Sequence, residues 1–586
     1  MRKTKILATI GPASSDVETI KQMIDVGMDA ARINFSHGTY ESHQKLIDAV
    51  KTAREDRKKP VPLILDTKGP EIRIKTFSTD RVYLEQGAEF TLTTEDIVGD
   101  VTRVAVTYEN LPRDLEIGSR VMIDDGLIEM KVLAIQGKEI RCELVNSGFL
   151  GHRKGVNVPD VNVDLPSLTE KDIEDIKFGI KNEVDWIAAS FIRSAQDVLN
   201  IKKVLEENGG AHIKIMAKIE SREGVDNIKH ILEVVDGIMV ARGDLGIEIP
   251  PEEVPLVQKN LIQRCNEVGK PVVTATHMLE SMQNNPRPTR AEANDVANAI
   301  FDGTDVTMLS GESANGKYPI ESVAMMARIA ENSENAINFD SETSQHYNKL
   351  NKNITNAISY AAVATATEMG AACIVAITDS GFAARMVSRS RPACPILALT
   401  SDPVVYRQCA LTWGCYPVFS EKPIIGDSEV FDMAEEFALS TGAAKNGEVI
   451  VAIAGVPVGS AGTTNTIRVR TVGSVLASGK GNNLGVVKGL TRVFDSEADP
   501  KELKFFEQGD IIITTRTDDS MMEYIKKAGG LVIGSWENID LSHAETVSKA
   551  LDIPLLKVRV RAIDFVKPGI AVTLDTNKGL LLNGYK

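Results

Sequence analysis

The stretch IKIMAKIE at residues 213–220, followed by GIMVARGDLGIEIP at 237–250, decides how this chain folds. Each begins as an apolar run long enough for a buried strand, and each ends in charge: Lys218 and Glu220 in the first, Arg242 and Asp244 in the second. An unpaired charge at the edge of a core is costly, so strands that finish this way imply a site that uses the charge. Outward from here the pattern recurs. KILATI (5–10), AARINFS (30–36), PLILDT (62–67), DWIAASF (185–191), PVVTATH (271–277) and DVTMLSG (305–311) complete a set of eight strands, apolar as strands covered on both faces should be. Helical patterns, such as residues 39–59 and 250–269, lie between most of them. Eight strand–helix units predict a closed (β/α)₈ barrel, with an open doubly wound sheet as the alternative that the pattern leaves standing.

One connection is far longer than the rest. Between PLILDT and PSLTEKDIEDIKFGI (166–180), segments such as RVYLEQGAEFTLTT (81–94) and GSRVMIDDGLIEMKVLAI (118–135) alternate apolar and polar residues with glycine punctuation. This predicts an antiparallel β-barrel module inserted in the third βα loop, where it can act as a lid. The barrel then comprises residues 1–69 and 168–340, and the lid 70–167. Polar SETSQHYNKLNKN (341–353) marks a boundary, and strand–helix alternation resumes as a second α/β domain over 341–472. Small polar residues in GSVLASGKGNNLG (473–485) introduce a last module, 473–586, rich in short strands.

Composition narrows the function classes. A formal net charge of -15 argues against a general binder of nucleic acid or of anionic membranes. No apolar run is long enough to span a bilayer. The six cysteines form no CxxC pair and sit mostly in apolar contexts, as reduced core residues of a cytoplasmic protein do.

Polar residues at the C-terminal ends of barrel strands read as catalytic. Here the second strand offers Arg32, Asn34 and Ser36, the third Asp66 and Thr67, and the fifth Lys218 and Glu220. The sixth adds Arg242 and Asp244, the seventh Thr276, the eighth Ser310 and Glu312. A solvated rim would also be polar, but it would not bring carboxylates, cations and hydroxyls together from six strands. Carboxylates without His or Cys beside them suit a hard cation such as Mg²⁺ better than zinc. A structural ion pair of Lys218 with Glu220, two apart and on one strand face, is the competing reading.

ARINFSHG (31–38), LDTKGPEIR (65–73), KGVNVP (154–159), MAKIE (216–220), VARGDLGIEIP (240–250), NPRPTRAEANDVANAIFDGTD (285–305) and LSGES (309–313) together resemble the pyruvate kinases over about the first 470 residues. The resemblance implies phosphoryl transfer from phosphoenolpyruvate to ADP, giving pyruvate and ATP, in a cytoplasmic homotetramer with a mobile lid. It implies Mg²⁺ (or Mn²⁺) on Glu220 and Asp244, and Lys218 beside the transferring phosphoryl group and the enolate oxygen. It places Arg73 on the phosphoryl group, and Gly243, Asp244 and Thr276 around the substrate carboxylate, with Thr276 near the enolate carbon. K⁺ falls to Asn34, Ser36, Asp66 and Thr67, a requirement that goes with Glu71. ADP phosphates would meet Arg32, His37 and Lys154. His277, where the family usually has Gln, is expected to point away from the substrate.

Two regions are similar with departures. ITDSGFAARMVSRSRP (377–392) and GVPVGSAGTTN (455–465) resemble loops that bind a phosphorylated allosteric effector, through Thr378, Ser380, Gly381, Gly459, Ser460 and Gly462. Asp379 and Ala383 differ from fructose-bisphosphate-responsive members. The last module is similar to the phosphohistidine domain of phosphoenolpyruvate-utilising enzymes. Ser542-His543-Ala544 keeps that motif, but Asn538 and Ile539 replace the preceding glycines, so His543 reads as structural. Two other functions remain to be weighed. A phosphotransferase working through His543 should carry an ATP-grasp domain, and the sequence shows none. A catalytically silent regulatory protein would not need Lys218, Glu220, Asp244, Arg73 and Thr276 together.

Overall fold

The computed structural model describes residues 1–339, 353–422, 429–445, 448–456, 464–472, 475–494, 505–534, 541–559, 561–564 and 566–584. Gly459, Ser460, Gly462, Asn538 and Ile539 lie outside the described residues. The chain divides into two compact units, one made of Met1–Val363, Ala376–Ile424 and Ala454–Asn465, the other of Ala364–Val375, Ile425–Ile453 and Thr466–Lys586.

In the first unit eight strands close into a barrel: β1 (Lys5–Thr9), β2 (Ala30–Asn34), β3 (Leu63–Asp66), β4 (Trp186–Ala189), β5 (Lys214–Ile219), β6 (Gly237–Ala241), β7 (Val272–Ala275) and β8 (Val306–Leu309). Every neighbouring pair is parallel, and β1 pairs with β8, which excludes the open sheet. Side chains alternate between two cores. Ala8, Ala31, Leu65, Ile187, Ala217, Ile238 and Leu309 pack outward in the cluster shared with the helices. Leu7, Ala30, Ile64, Ala188, Met216, Met239, Val273 and Met308 fill the interior. Two residues further along, the interior rows reach Thr9, Arg32, Asp66, Ser190 and Lys218. A period of two thus turns an apolar interior into a polar layer at the strand ends.

The opposite end of the barrel is closed by residues 376–424 of the same unit. Leu411, fully buried, belongs to the interior cluster. Arg407 Nε reaches Asp185 Oδ1 at 2.7 Å, just before β4, and Arg391 Nη1 reaches Asp305 Oδ1 at 2.8 Å, just before β8. Lys5 Nζ donates to Cys415 O at 2.5 Å. In the same segment Ile396–Thr400 and Cys415–Phe419 run parallel.

After β3 the chain leaves the barrel and returns through Thr169, which N-caps the helix Glu170–Lys181 in a box with Asp172. The inserted module has its own core around Phe90, Leu92, Val121 and Ile140. Its strands bond as a six-stranded sheet and a two-stranded ladder, not as one closed ring, and Glu89–Thr93 runs parallel to Arg103–Ala105 in an otherwise antiparallel arrangement.

In the second unit seven strands close around a core that includes Ile511, Val532, Leu556 and Leu574. Four strands run parallel in series, from Val486–Phe494 through Ile511–Thr514 and Gly530–Gly534 to Leu555–Val558, and antiparallel hairpin strands complete the ring. The six cysteines are not joined in disulfides. Among the described residues no helix is long and apolar enough to cross a membrane.

Leu411→Ala should open a cavity under the barrel interior and cost about 2–5 kcal/mol, lowering the barrel's unfolding midpoint in denaturant. A change no larger than that of a surface substitution would mean that Leu411 does not complete the interior.

Candidate active site

The polar layer is a hydrogen-bonded chain. Arg32 Nη1 donates to Thr9 Oγ1 at 2.9 Å, and Arg32 Nε to Asp66 Oδ2 at 2.5 Å. Lys218 Nζ lies 3.2 Å from Asp66 Oδ1 and 2.9 Å from Glu220 Oε1, and it donates to Ser190 Oγ at 2.8 Å. Ser190 Oγ donates onward to Thr67 O at 2.6 Å. Glu220, 1 % exposed, accepts from Phe191 N at 2.6 Å. Phe191 has φ 54°, a left-handed turn that directs its N–H inward at the end of β4.

Burial opposes the charges of Lys218, Asp66, Glu220 and Asp244; neighbouring charges outweigh it at the first two, and it prevails at the last two. Burial works to discharge Lys218, but Asp66 and Glu220 outweigh it and hold the ammonium above its ordinary range. Asp66 is likewise opposed by burial, yet Arg32 and Lys218 hold its carboxyl below the usual value. Burial pushes Glu220 up to about 7, with Lys218 pulling against it and Asp244 adding to it. Burial raises Asp244 as well, with Lys218 opposing and Asp125 of the insertion contributing.

Asp244 lies in a short helix, Arg242–Glu248, with no side-chain cap. The Gly243 amide is taken by Thr276 Oγ1 at 2.8 Å, and that hydroxyl donates to Ala275 O. A Cβ at Gly243 would meet Thr276 only at 3.6 Å or more, so that contact does not demand a glycine. Arg242 turns away from Asp244. Its guanidinium bonds Ala275 O, Thr276 O and Asp295 Oδ1, and so pins the end of β7. Glu312 braces the same loop, accepting from Leu279 N and Ser310 N. Thr276 and His277 both have positive φ (65° and 54°). Strand alternation therefore stops at Ala275, and His277 is exposed for a different reason from the one its sequence position suggests.

A cavity of about 690 Å³ separates Glu220 and Asp244 from Glu71, Arg73, Asp124 and Lys154 of the insertion. Arg73 Nε donates to Glu71 Oε2 at 2.5 Å and its Nη1 to Arg153 O at 2.7 Å. Lys154 Nζ pairs with Asp124 Oδ1 at 2.9 Å. Asn34 and Asp66 are register partners, and Ser36 and Thr67 follow them in sequence. His37 is exposed and does not line the cavity. Outside this centre, Thr378 is buried and Gly381 (φ 74°) precedes Phe382–Ser388, with Ser380 O accepting from Arg385 Nη1 at 3.2 Å. In the second unit His543 opens the helix Ser542–Leu551 region, its Nδ1 3.0 Å from Thr517 Oγ1 and its Nε2 3.4 Å from Asp519 Oδ1.

Sequence reasoning missed Thr9 and Ser190, which join the charged members into one chain. Counting two residues on from Leu7 and Ala188 along the interior rows finds both.

Proteins with this architecture are known. Residues 1–323 match the family model "Pyruvate kinase, barrel domain", and 356–470 match "Pyruvate kinase, alpha/beta domain". Pyruvate kinase of Sporosarcina psychrophila is 45% identical over 590 residues, covering 100% of this chain and 99% of that protein. That of Staphylococcus epidermidis is 45% identical over 587 residues with the same coverage, so both alignments run through the last module, which neither family model reaches. A crystal structure of a pyruvate kinase from Cryptosporidium parvum superposes with a TM-score of 0.77 at 39% identity, covering 80% of this chain and 96% of that one. Strand ends, buried ion pairs and full-length relatives lead to one assignment: this chain belongs to the pyruvate kinase family.

Proposed function

We infer that the layer at the ends of β2 to β7 carries out the family's reaction, transfer of the phosphoryl group of phosphoenolpyruvate to ADP with release of pyruvate and ATP in the last step of glycolysis. The observation that carries the assignment of roles is Lys218. Its ammonium is buried, kept charged by Asp66 and Glu220, and fixed by Ser190 beside the acidic pair. Phosphoryl transfer asks mainly for positioning and for charge where charge develops. In this reading Lys218 meets the transferring phosphoryl group and then the enolate oxygen, where negative charge appears as the bond breaks. Arg73 clamps the phosphoryl group from the insertion, and its Nη2 carries no hydrogen bond among the described residues. The substrate carboxylate lies at the start of helix 242–248, with Gly243 and Thr276 exchanging their mutual hydrogen bond for bonds to it. Arg32, His37 and Lys154 serve the ADP phosphates, Lys154 by leaving Asp124.

Glu220 and Asp244 suit a hard divalent cation. Two neighbouring carboxyls, Glu220 buried and Asp244 partly exposed, each pushed up by desolvation, are what such an ion would relieve. Mg²⁺ or Mn²⁺ is the ion these carboxylate oxygens would hold. Bound there, the ion would neutralise phosphoryl and carboxylate oxygens. Asn34, Ser36, Asp66 and Thr67 are the proposed K⁺ ligands, supported by their adjacent strand ends and by Glu71, whose charge sits on Arg73 at the cavity wall. A homotetramer and a phosphorylated effector at Thr378, Ser380, Gly381, Gly459, Ser460 and Gly462 complete the reading. Both rest on family membership.

Lys218→Met should lower kcat by about 10²–10³ or more with the KM for phosphoenolpyruvate changed little, because the charge matters most in the transition state. Near-normal kcat would reduce Lys218 to a structural partner of Glu220. Glu220→Gln should raise the Mg²⁺ concentration needed for half-maximal activity, and an unchanged titration would remove it as a ligand. Glu71→Lys should lower the ratio of activity with K⁺ to activity without it, since the ammonium replaces the ion's charge. Equal K⁺ stimulation in both proteins would argue against the cation site.

A further inference from the structure

Both places where the chain crosses between barrel and insertion meet on one buried carboxylate. The outgoing crossing runs from Asp66 through Gly69 to Arg73, and the return passes Val163, Leu165 and Ser167 into helix Glu170–Lys181. Asp172, in the first turn of that helix, is 0 % exposed. Its Oδ1 accepts from Gly69 N at 2.9 Å, and its Oδ2 accepts from Thr169 N at 2.9 Å and from Thr169 Oγ1 at 2.6 Å. Helix capping accounts for the Thr169 bonds, which are local. It does not account for Gly69, which is 103 residues away in sequence.

Gly69 is committed to its place. It has φ 72°, and a Cβ there would lie 2.8 Å from Ser190 Cβ and 3.0 Å from the Phe191 ring. Those two residues hold the reacting centre: Ser190 Oγ accepts from Lys218, and Phe191 N donates to Glu220. The backbone that Asp172 fixes is therefore packed directly on the partners of Lys218 and Glu220, and four residues later it carries Arg73. The return crossing is held a second time by Arg193, whose Nη1 donates to Val163 O at 2.7 Å and whose Nη2 donates to Leu165 O at 2.6 Å.

We propose that Asp172 is a positioning residue for phosphoryl transfer: one carboxylate holds both crossings and so sets Arg73 and Lys154 against the Lys218–Glu220 pair. This rests on the roles given above to Arg73 and Lys218. A carboxylate accepts at both oxygens and an amide at one, so Asp172→Asn cannot keep all three bonds. In Asp172→Asn, kcat/KM for phosphoenolpyruvate should fall about tenfold, from misplacement of groups that are still present. Hydrogen–deuterium exchange should quicken in the peptide containing Gly69. Thr169→Val is the control. It removes the hydroxyl cap and lowers thermal stability but keeps the Gly69 bond, so kcat/KM should stay within about twofold of the parent enzyme. If Asp172→Asn does not fold, Gly69→Ala carries the test, because it displaces the same crossing without touching the carboxylate, and the same tenfold loss is expected. Unchanged kcat/KM in Asp172→Asn or Gly69→Ala overturns the proposal, as does an equal loss in Thr169→Val. Near-normal kcat in Lys218→Met would instead overturn the reading of the active site, so the two failures are distinguishable.

Discussion

A carboxylate buried between two cations sets the terms for the active site. Asp66 is 1 % exposed and receives both the Arg32 guanidinium and the Lys218 ammonium. Alone, neither cation would be well accommodated in this layer, since a buried charge is tolerated only when paired. With Asp66 between them, Arg32 is aligned toward Thr9 on one side and Lys218 toward Ser190 and Glu220 on the other. The local charge is close to balanced around Lys218, and Glu220 and Asp244 add an acidic excess on one side of it. That excess is the feature that supports the proposed divalent-ion site. The ion-pair reading of Lys218 and Glu220 and the catalytic reading are therefore compatible. The pair exists in the structure, and it keeps the ammonium charged where the proposed chemistry would use it.

The barrel makes this possible by separating its two ends. At one end Leu411 fills the interior, and the pairs Arg407–Asp185 and Arg391–Asp305 anchor the beginnings of β4 and β8. Packing and satisfied charges there can hold the frame rigid. At the other end the same interior rows turn polar within two residues, so the proposed catalytic groups are held at or just past the strand ends. Thr67, Ser190 and Glu220 stand one residue past β3, β4 and β5, while Thr276, Gly243 and Asp244 belong to the segments after β7 and β6. The last three are pinned in turn by Arg242 and Glu312, neither of which needs to touch substrate.

Much of this was legible in the sequence because the strand period is short and strict. Met216, Lys218 and Glu220 share a face by spacing alone, as do Ala30, Arg32 and Asn34, and eight such rows predict the closed barrel. Ser190 and Thr9 escaped notice because a serine or threonine at a strand end carries little signal until its neighbours across the barrel are known. Alternation failed at Thr276 and His277, where two successive left-handed residues end the strand. Arg242 looked catalytic beside Asp244, but its partners Asp295 and the Thr276 carbonyl are distant in sequence. The same is true of Asp172 and Gly69. Bonds between remote segments have no period to betray them, and the chain must be folded before they can be read. The insertion's alternating pattern announced strands but could not reveal the one parallel pair or that the sheet stays open.

The most direct test of this account is the steady-state kcat of Asp66→Asn at saturating Mg²⁺ and K⁺, measured on protein whose circular dichroism matches the parent. The amide keeps the shape but cannot balance Arg32 and Lys218. The account predicts a fall in kcat of about 10²-fold, because Lys218 loses the partner that places it. A folded Asp66→Asn enzyme with kcat near that of the parent would contradict it, and would mean that Lys218 is placed by Glu220 and Ser190 alone.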